Sequence, residues 1–298
     1  MRTSLKHLDP AKRQQIQAIL HIIKKAVQPE KILLFGLYAA ESGMADQENN
    51  SILVSCAASY DLLVISRRGD HRHDYEIQDM IENRCQFDIP VTVLVHDIDY
   101  VNEQLRKGHY FFSMLEREGI LLYDGGAEPL APPAPPDLSK IKAIAENDFT
   151  RWWHRAEVFF NSALFNIQAK EWKIAAFLLH QAAEQAYQSI LLGFTGYKPC
   201  THNLDKLRRY TKRFSIELAM VFPRNSSKEE HLFKLLLQSY LDARYREDYS
   251  ISEDELNQLA ERVSQLLSIA TRICRNRFAS LGRMAGVGAT GPGTKTAY

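Results

Sequence analysis

The sequence has no strong imbalance of charge. It contains 37 Lys and Arg residues against 36 Asp and Glu residues, and its formal net charge is +1. Such a chain has no global attraction to nucleic acid or to an anionic membrane. Any binding of a polyanion therefore has to come from a local patch of basic side chains.

Long apolar runs and closely spaced cysteines are also missing. No apolar run approaches the roughly 18–20 residues needed to span a bilayer, and the N-terminal residues are too polar for the core of a signal peptide. The four cysteines, Cys56, Cys85, Cys200 and Cys274, are scattered and have no CxxC spacing. This argues against a zinc knuckle and against a disulfide framework. We therefore expect a cytoplasmic protein that does not enter a membrane.

The first part of the chain alternates strand-like and helix-like patterns. Continuous apolar runs at residues 31–36 (KILLFG), 60–65 and 91–95 are typical of buried strands. Helical spacing of apolar residues precedes the first run and separates the second from the third. The pattern predicts an α/β domain with a mixed sheet over residues 1–124.

A change in composition follows this domain. Residues 125–136 (GGAEPLAPPAPP) favour a semi-rigid linker, which we assign to residues 125–140. Residues 141–278 carry helical patterns alone and predict an all-α antiparallel bundle. Residues 279–298 have little apolar surface and are predicted to be a disordered tail.

Two motifs in the first domain carry a family resemblance. Residues 33–41 (LLFGLYAAE) and 59–64 (SYDLLV) resemble the minimal nucleotidyltransferases of the DNA polymerase beta superfamily, which have LFGSYARG and SDxDLLV there. The resemblance implies that Gly36 belongs to a turn that holds nucleotide phosphates. It also implies that two aspartates, one residue apart on a strand, hold catalytic Mg²⁺.

The chain departs from that pattern at most of its functional positions. Leu37 replaces the motif serine, and Ser59 replaces the first metal-binding aspartate, so that Asp61 alone remains. The third acid of the family would fall near Thr92. A single carboxylate is a poor ligand set for Mg²⁺, and phosphoryl transfer depends on that metal. We interpret the domain as a pseudoenzyme with a vestigial Asp61 and no metal.

The second domain has a resemblance of its own. Residues 175–184 (AAFLLHQAAE), 197–204 (YKPCTHNL) and 242–249 (DARYREDY) resemble HEPN domains of the sacsin-like branch. The resemblance implies a nucleotide in the groove between helices and a homodimer formed through those helices. It also implies a regulatory or interaction role, in a defence or toxin–antitoxin-like setting.

Under this resemblance Arg244 would contact phosphate, and Tyr245 or Tyr249 would stack on the nucleoside or bond to it. Gln181 and Glu184 would contact polar edges of the ligand. The alternative for these polar helix residues is an internal hydrogen-bonded network. The candidate nucleotide site has six residues: Gln181, Glu184, His202, Arg244, Tyr245 and Tyr249.

Catalysis is the rival hypothesis. HEPN ribonucleases have four to six residues between the arginine and a histidine, but Tyr249 stands where that histidine would be expected after Arg244. His180 or His202 could replace it only if the fold brought them close to Arg244. Residual nucleotide transfer by Asp61 is a second enzymatic alternative, and a scaffold that binds no ligand is a third possibility.

Overall fold

The computed structural model describes residues 3–6, 8–37, 60–87 and 89–289. These residues form two compact units, Met1–Pro136 (the first unit) and Asp137–Tyr298 (the helical unit). The predicted vestigial residue Ser59 lies outside the described residues, together with the motif segment 38–58.

The first unit is a mixed α/β structure, as the alternating pattern predicted. Its four-stranded sheet has the order β3-β2-β1-β4. Strand β1 is antiparallel to β2 and to β4, whereas β2 and β3 are parallel. The described elements are α1 (Pro10–Val27), β1 (Lys31–Leu37), β2 (Tyr60–Ser66), α2 (Asp74–Arg84), β3 (Val91–Asp97), α3 (Ile98–Arg106), α4 (Tyr110–Glu118) and β4 (Ile120–Asp124).

Helix α1 has defined signals at both ends. Asp9 accepts a hydrogen bond from the backbone N–H of Lys12 at 2.8 Å, and Pro10 is the first helical residue. At the other end, the guanidinium of Arg72 donates to the carbonyls of Ala26 and Val27. The apolar face between these ends is buried against the sheet. Both the capping interactions at its ends and the burial of its apolar face therefore stabilise α1.

Strand β2 is buried along its whole length, so both faces of the sheet are covered there. Tyr60, Leu62 and Val64 belong to the core that also contains α1 and α2. Because side chains alternate along a strand, Asp61 lies on the opposite face. Asp61 is 1% exposed and pairs in register with Thr92 on β3.

The proline-rich segment is bound to the first unit and is not a free spacer. The carboxylate of buried Glu30 accepts hydrogen bonds from the N–H groups of Ala127 and Glu128, at 3.0 and 2.9 Å. The Asn102 amide accepts from the N–H of Ala131 at 2.6 Å and donates to the carbonyl of Pro129 at 3.2 Å. Buried polar side chains thus supply the partners that a segment without secondary structure lacks. Helix begins at Leu138, not after residue 140.

The helical unit is built around its second helix. The described elements are α5 (Leu138–Gln168), α6 (Trp172–Thr195), α7 (Leu204–Thr211), a 3₁₀ turn (Lys212–Phe214), α8 (Ile216–Met220), α9 (Ser227–Ser239), α10 (Asp242–Tyr245) and α11 (Glu253–Ala289). Helices α5, α6 and α11 pack against one another. Helix α6 is buried on nearly all sides over residues 182–193, which makes it the central helix of the unit.

The last helix is longer than predicted. Residues 279–289 were expected to belong to a disordered tail, but α11 extends to Ala289. Phe278 and Leu281 are buried and continue the apolar face of the helix past residue 274. Phe278 also packs edge-on against Phe149 of α5. Tertiary packing thus outweighs the glycine-rich composition of this segment. Residues 290–298 lie outside the described residues.

Within the described residues, no helix is both long enough and apolar enough to cross a membrane.

Candidate functional site

Polar side chains of α6 meet the chain around Tyr240 in the helical unit. His180, Gln181 and Glu184 lie within about one turn of α6. Tyr240 follows the last residue of α9, and Arg244 lies in the short helix α10. His202 comes from the segment between α6 and α7. We call His180, Gln181, Glu184, His202, Tyr240 and Arg244 the Tyr240 cluster.

His180 forms the buried part of the Tyr240 cluster. Its ring stacks on the ring of Tyr240, with centroids 5.0 Å apart and an interplanar angle of 29°. Burial, together with the nearby charges of His202 and Arg244, lowers the pKa of His180 to about 3. The imidazole is therefore neutral at pH 7, and its Nδ1 lies 3.4 Å from Nε2 of Gln181.

Glu184 and His202 form a carboxylate–imidazole pair. Nδ1 of His202 lies 2.9 Å from Oε1 of Glu184. The Glu184 side chain is almost fully buried, whereas the His202 side chain is 65% exposed. Gln181 donates to the other oxygen of Glu184 at 3.4 Å. With Nδ1 directed to the carboxylate, Nε2 is the ring nitrogen that remains to exchange a proton or to bind a ligand.

Tyr240 connects the two histidines. The ring of His202 lies nearly parallel to that of Tyr240, at 12° and with centroids 5.4 Å apart. His180 contacts the same ring. One tyrosine therefore sets the positions of a buried neutral imidazole and of an exposed imidazole paired with a carboxylate.

Arg244 brings a positive charge to the cluster. Its Nε donates to the carbonyl of Tyr240 at 2.6 Å. Its guanidinium carbon lies 5.0, 4.7 and 4.9 Å from the ring centroids of Phe177, Tyr240 and Tyr245. Within the described residues Arg244 forms no ion pair with a carboxylate, and its side chain is exposed. Its terminal N–H groups are therefore available for an anion from solution.

The structure thus brings together most of the predicted site. Gln181, Glu184, His202 and Arg244 all belong to the Tyr240 cluster, and Tyr245 lies beside the Arg244 guanidinium with 75% of its surface exposed. The sequence reasoning missed Tyr240. Its signal was available, because a residue four positions before Arg244 lies next to it in a helical turn.

Tyr249 lies in other surroundings. Its buried hydroxyl donates to the carbonyl of Leu235 at 3.1 Å, and burial raises its pKa. Its ring lines a cavity of about 590 Å³ together with His231 and Glu255. A hydroxyl held in this way is poorly suited to proton transfer near Arg244. The short helix α10 ends before Tyr249, and the chain then turns into the unit.

Tyr187 does not share the environment of His180 and Glu184, although helical spacing relates the three residues. Tyr187 is fully buried, and its hydroxyl has no hydrogen-bond partner within the described residues. Burial raises its pKa, and the nearby charge of Arg208 from α7 opposes that change. Polar side chains of α6 therefore extend along the helix from the Tyr240 cluster towards α7.

The basic run at residues 206–213 is divided between different environments. Arg208 is buried, and its guanidinium lies 5.7 Å from the ring centroid of Phe233. Asp205 accepts ion pairs from Arg208 at 3.6 Å and from Arg209 at 3.2 Å. Part of the positive charge is thus balanced within the unit.

Three residues that the sequence predicted to be vestiges of a nucleotide site, Gly36, Leu37 and Asp61, lie on the two central strands of the sheet. Gly36 and Leu37 of β1 pair with Asp61 and Tyr60 of β2, next to a register shift between Leu34 and Gly36. Thr92, the position predicted for the third acid of the family, is the direct neighbour of Asp61 in the parallel register. Among the described residues, no group of three or more His, Cys, Asp and Glu is arranged to hold a metal ion.

Comparison with known families bears on the helical unit. The family model described as HEPN domain matches residues 149–274, which extend from α5 into α11. A HEPN domain is therefore present, as the motifs in residues 175–249 predicted. HEPN domains include nucleotide-binding and ribonuclease-like members. No curated protein matches the chain. The resemblance of the first unit to nucleotidyltransferases stays a prediction.

Proposed function

We propose that the HEPN domain of this chain binds a nucleotide at the Tyr240 cluster and acts as a regulatory or interaction module. The observation that carries this proposal is the exposed guanidinium of Arg244, which is packed among aromatic rings and not paired with a carboxylate. Such a guanidinium keeps the fork of donors that suits a phosphate group.

The groups around Arg244 suit the rest of a nucleotide. Tyr245 is exposed beside the guanidinium and offers a ring face on which a base can stack. The exposed imidazole of His202 adds a hydrogen-bonding nitrogen whose orientation is fixed by Glu184. Glu184 and Gln181 then act through His202, since they bond to each other and to the two histidines.

For the first unit we propose a nucleotidyltransferase-like domain that has lost its catalysis. The position beside Asp61 carries Thr92, which supplies no second carboxylate for Mg²⁺. Both residues are almost fully buried. Transfer of label from an α-labelled nucleoside triphosphate, abolished by Asp61→Ala, would overturn this part of the proposal.

RNA cleavage is the second candidate function, because the fold brings His202 and Arg244 to the same tyrosine. Nε2 of His202 would accept the proton of a ribose 2′-hydroxyl as that oxygen attacks phosphorus. Arg244 would stabilise the charge on the phosphate oxygens, and the 5′-oxygen would leave as its bond to phosphorus breaks and take up a proton from water. This arrangement replaces the histidine that the family places after the arginine.

We also propose that the chain forms a homodimer through its HEPN helices. Large apolar side chains are exposed near the turn between α5 and α6, where Phe165 is 69% exposed and Ile174 is 50% exposed. Val158 lies two turns before Phe165 on α5 and is 50% exposed. A second copy would bury this patch. Light scattering tests it, because Phe165→Glu is expected to shift the mass towards the monomer.

Nucleotide titration tests the main proposal. We expect ATP or GTP to bind to the wild-type chain and Arg244→Ala to weaken binding at least about tenfold, since it removes charge-assisted bonds to phosphate. Arg246→Ala is the matched control: it removes the same charge two residues away, from an arginine paired with Asp248. Equal loss in both variants, or no binding at millimolar nucleotide, would contradict the proposal.

The same variants separate binding from cleavage. If the domain is a ribonuclease, Arg244→Ala and His202→Ala both abolish degradation of labelled RNA, whereas Arg246→Ala does not. If it only binds nucleotide, purified protein leaves the RNA intact and the titration result still holds.

A further inference from the structure

A concave basic site lies on the first unit, apart from the Tyr240 cluster. A cavity of about 570 Å³ opens between α1 and the edge strand β4. Its polar lining comes from Gln17, His21, Lys24 and Lys25 of α1 and from Tyr123 of β4, and two leucines form its apolar part. The volume falls in the range of cavities that hold small organic ligands.

The helix side of the cavity is a single face of α1. Gln17, His21 and Lys24 follow one another at four and three residues, and Lys25 is adjacent. All four side chains are exposed, whereas the opposite face of α1 is buried in the core. The charges of the helix therefore converge on the cavity, and none of the described residues that line it is acidic.

The positive charge in the cavity is not balanced by the parts of the unit that lie nearby. Asp124, the acidic residue next to Tyr123, is held by Lys31 at 2.5 Å. The last carbonyls of α1, which would attract lysine ammonium groups, accept hydrogen bonds from Arg72 instead. Lys24 and Lys25 form no ion pair within the described residues.

The strand side supplies an aromatic ring. Nζ of Lys24 lies 4.6 Å from the ring centroid of Tyr123, and the tyrosine is half-buried at the edge of the sheet. The ammonium lies over the ring face. When the flexible lysine side chain swings off that face, a planar, negatively charged molecule can stack on the ring and pair with the cation at the same time.

We infer that this cavity is a binding site for a small phosphorylated ligand that carries a planar ring. Its phosphates contact Lys24, Lys25 and His21, its ring packs against Tyr123, and the amide of Gln17 bonds to a neutral polar group. The site lies on the α1 side of the sheet, whereas Asp61 lies on the other side. It is thus separate from the phosphate turn that the nucleotidyltransferase resemblance implies.

Calorimetric titration of the full chain carrying Arg244→Ala tests this site, since that background weakens the binding proposed for the helical unit. ATP and inorganic tripolyphosphate, both without magnesium, serve as probes. We expect both to bind, and Lys24→Ala/Lys25→Ala to weaken both at least about tenfold. Tyr123→Leu, which keeps an apolar side chain at the sheet edge, is expected to weaken ATP alone.

The control is Lys107→Ala/Arg117→Ala, which removes two exposed positive charges elsewhere in the first unit. If this control weakens binding as much as the lysine pair does, the attraction is non-specific and the site is refuted. Absence of binding in the Arg244→Ala background, where the wild-type chain binds ATP, also refutes it and supports the Tyr240 cluster. Loss of ATP and tripolyphosphate alike in Tyr123→Leu refutes the stacking contact.

Discussion

The two units surround their central carboxylates with different neighbours. In the helical unit, Glu184 is buried beside His202 and Gln181, which engage both of its oxygens. In the first unit, Asp61 is equally buried, but the strand position beside it holds Thr92. A buried carboxylate can serve binding or catalysis when adjacent side chains form hydrogen bonds or ion pairs with it. The comparison therefore favours the carboxylate of the helical unit over Asp61 for the nucleotide binding proposed above.

The prediction with the largest expected effect tests how far the packed part of α11 extends. Leu281→Ala should lower the free energy of unfolding by about 2–4 kcal/mol, because it removes a buried side chain from α11. Met284→Ala on the exposed side of the same helix should cost less than about 0.5 kcal/mol. Urea denaturation measures both. Equal, small effects would mean that the unit ends near residue 278, as the composition of the tail suggested.

The next prediction concerns how the free energy of unfolding changes at acidic pH because of the buried imidazole of His180. The folded-state pKa of His180 is about 3, against an ordinary value of about 6.5. The unfolded chain therefore takes up a proton at this residue first as the pH falls. The stabilising contribution of neutral His180 is complete above pH 6.5 and is lost progressively towards pH 3, by at most about 1.4 kcal/mol per pH unit.

Urea denaturation between pH 4.5 and 6.5 measures this slope. His180→Gln should flatten it, whereas His154→Gln, at a histidine that is 68% exposed, should leave it unchanged. A slope that survives in His180→Gln would show that another group is responsible. The outcome decides whether the Tyr240 cluster depends on a neutral imidazole in its interior.

A smaller effect is expected at the carboxylate of the cluster. Glu184→Gln keeps the size of the side chain but removes the charge that orients His202. We expect ATP binding to weaken several-fold, by about 1 kcal/mol, the usual value of one such hydrogen bond. Gln258→Glu makes the reverse exchange at a half-buried side chain of α11 whose hydrogen bond to Asp254 lies outside the cluster. Unchanged affinity in Glu184→Gln would remove Glu184 from the proposed site.

No effect on nucleotide binding by the helical unit is expected from Asp61→Asn. The change keeps the shape of the side chain, and Asp61 belongs to the other unit. Calorimetry with ATP should give the wild-type affinity. A loss as large as that of Arg244→Ala would place the nucleotide at the sheet and reverse the contrast between the two units.

Local patterns predicted much of the fold. Apolar runs located β1, β2 and β3, because a strand covered on both faces has to be apolar almost throughout. The motifs at residues 175–184, 197–204 and 242–249 predicted the HEPN domain and four members of the Tyr240 cluster. The docking of residues 125–136 could not be predicted, because their hydrogen-bond partners, Glu30 and Asn102, are distant in the chain.

The sequence by itself determined which segments become strands and helices and that the C-terminal half contains a HEPN domain, since periodicity and short motifs act over a few residues. Tertiary structure alone decided that Tyr240 separates two imidazoles, that Tyr249 turns away from Arg244, and that α11 continues to Ala289. Each of these depends on burial against residues far away in the chain, and no local pattern records which distant side chains will share a buried surface.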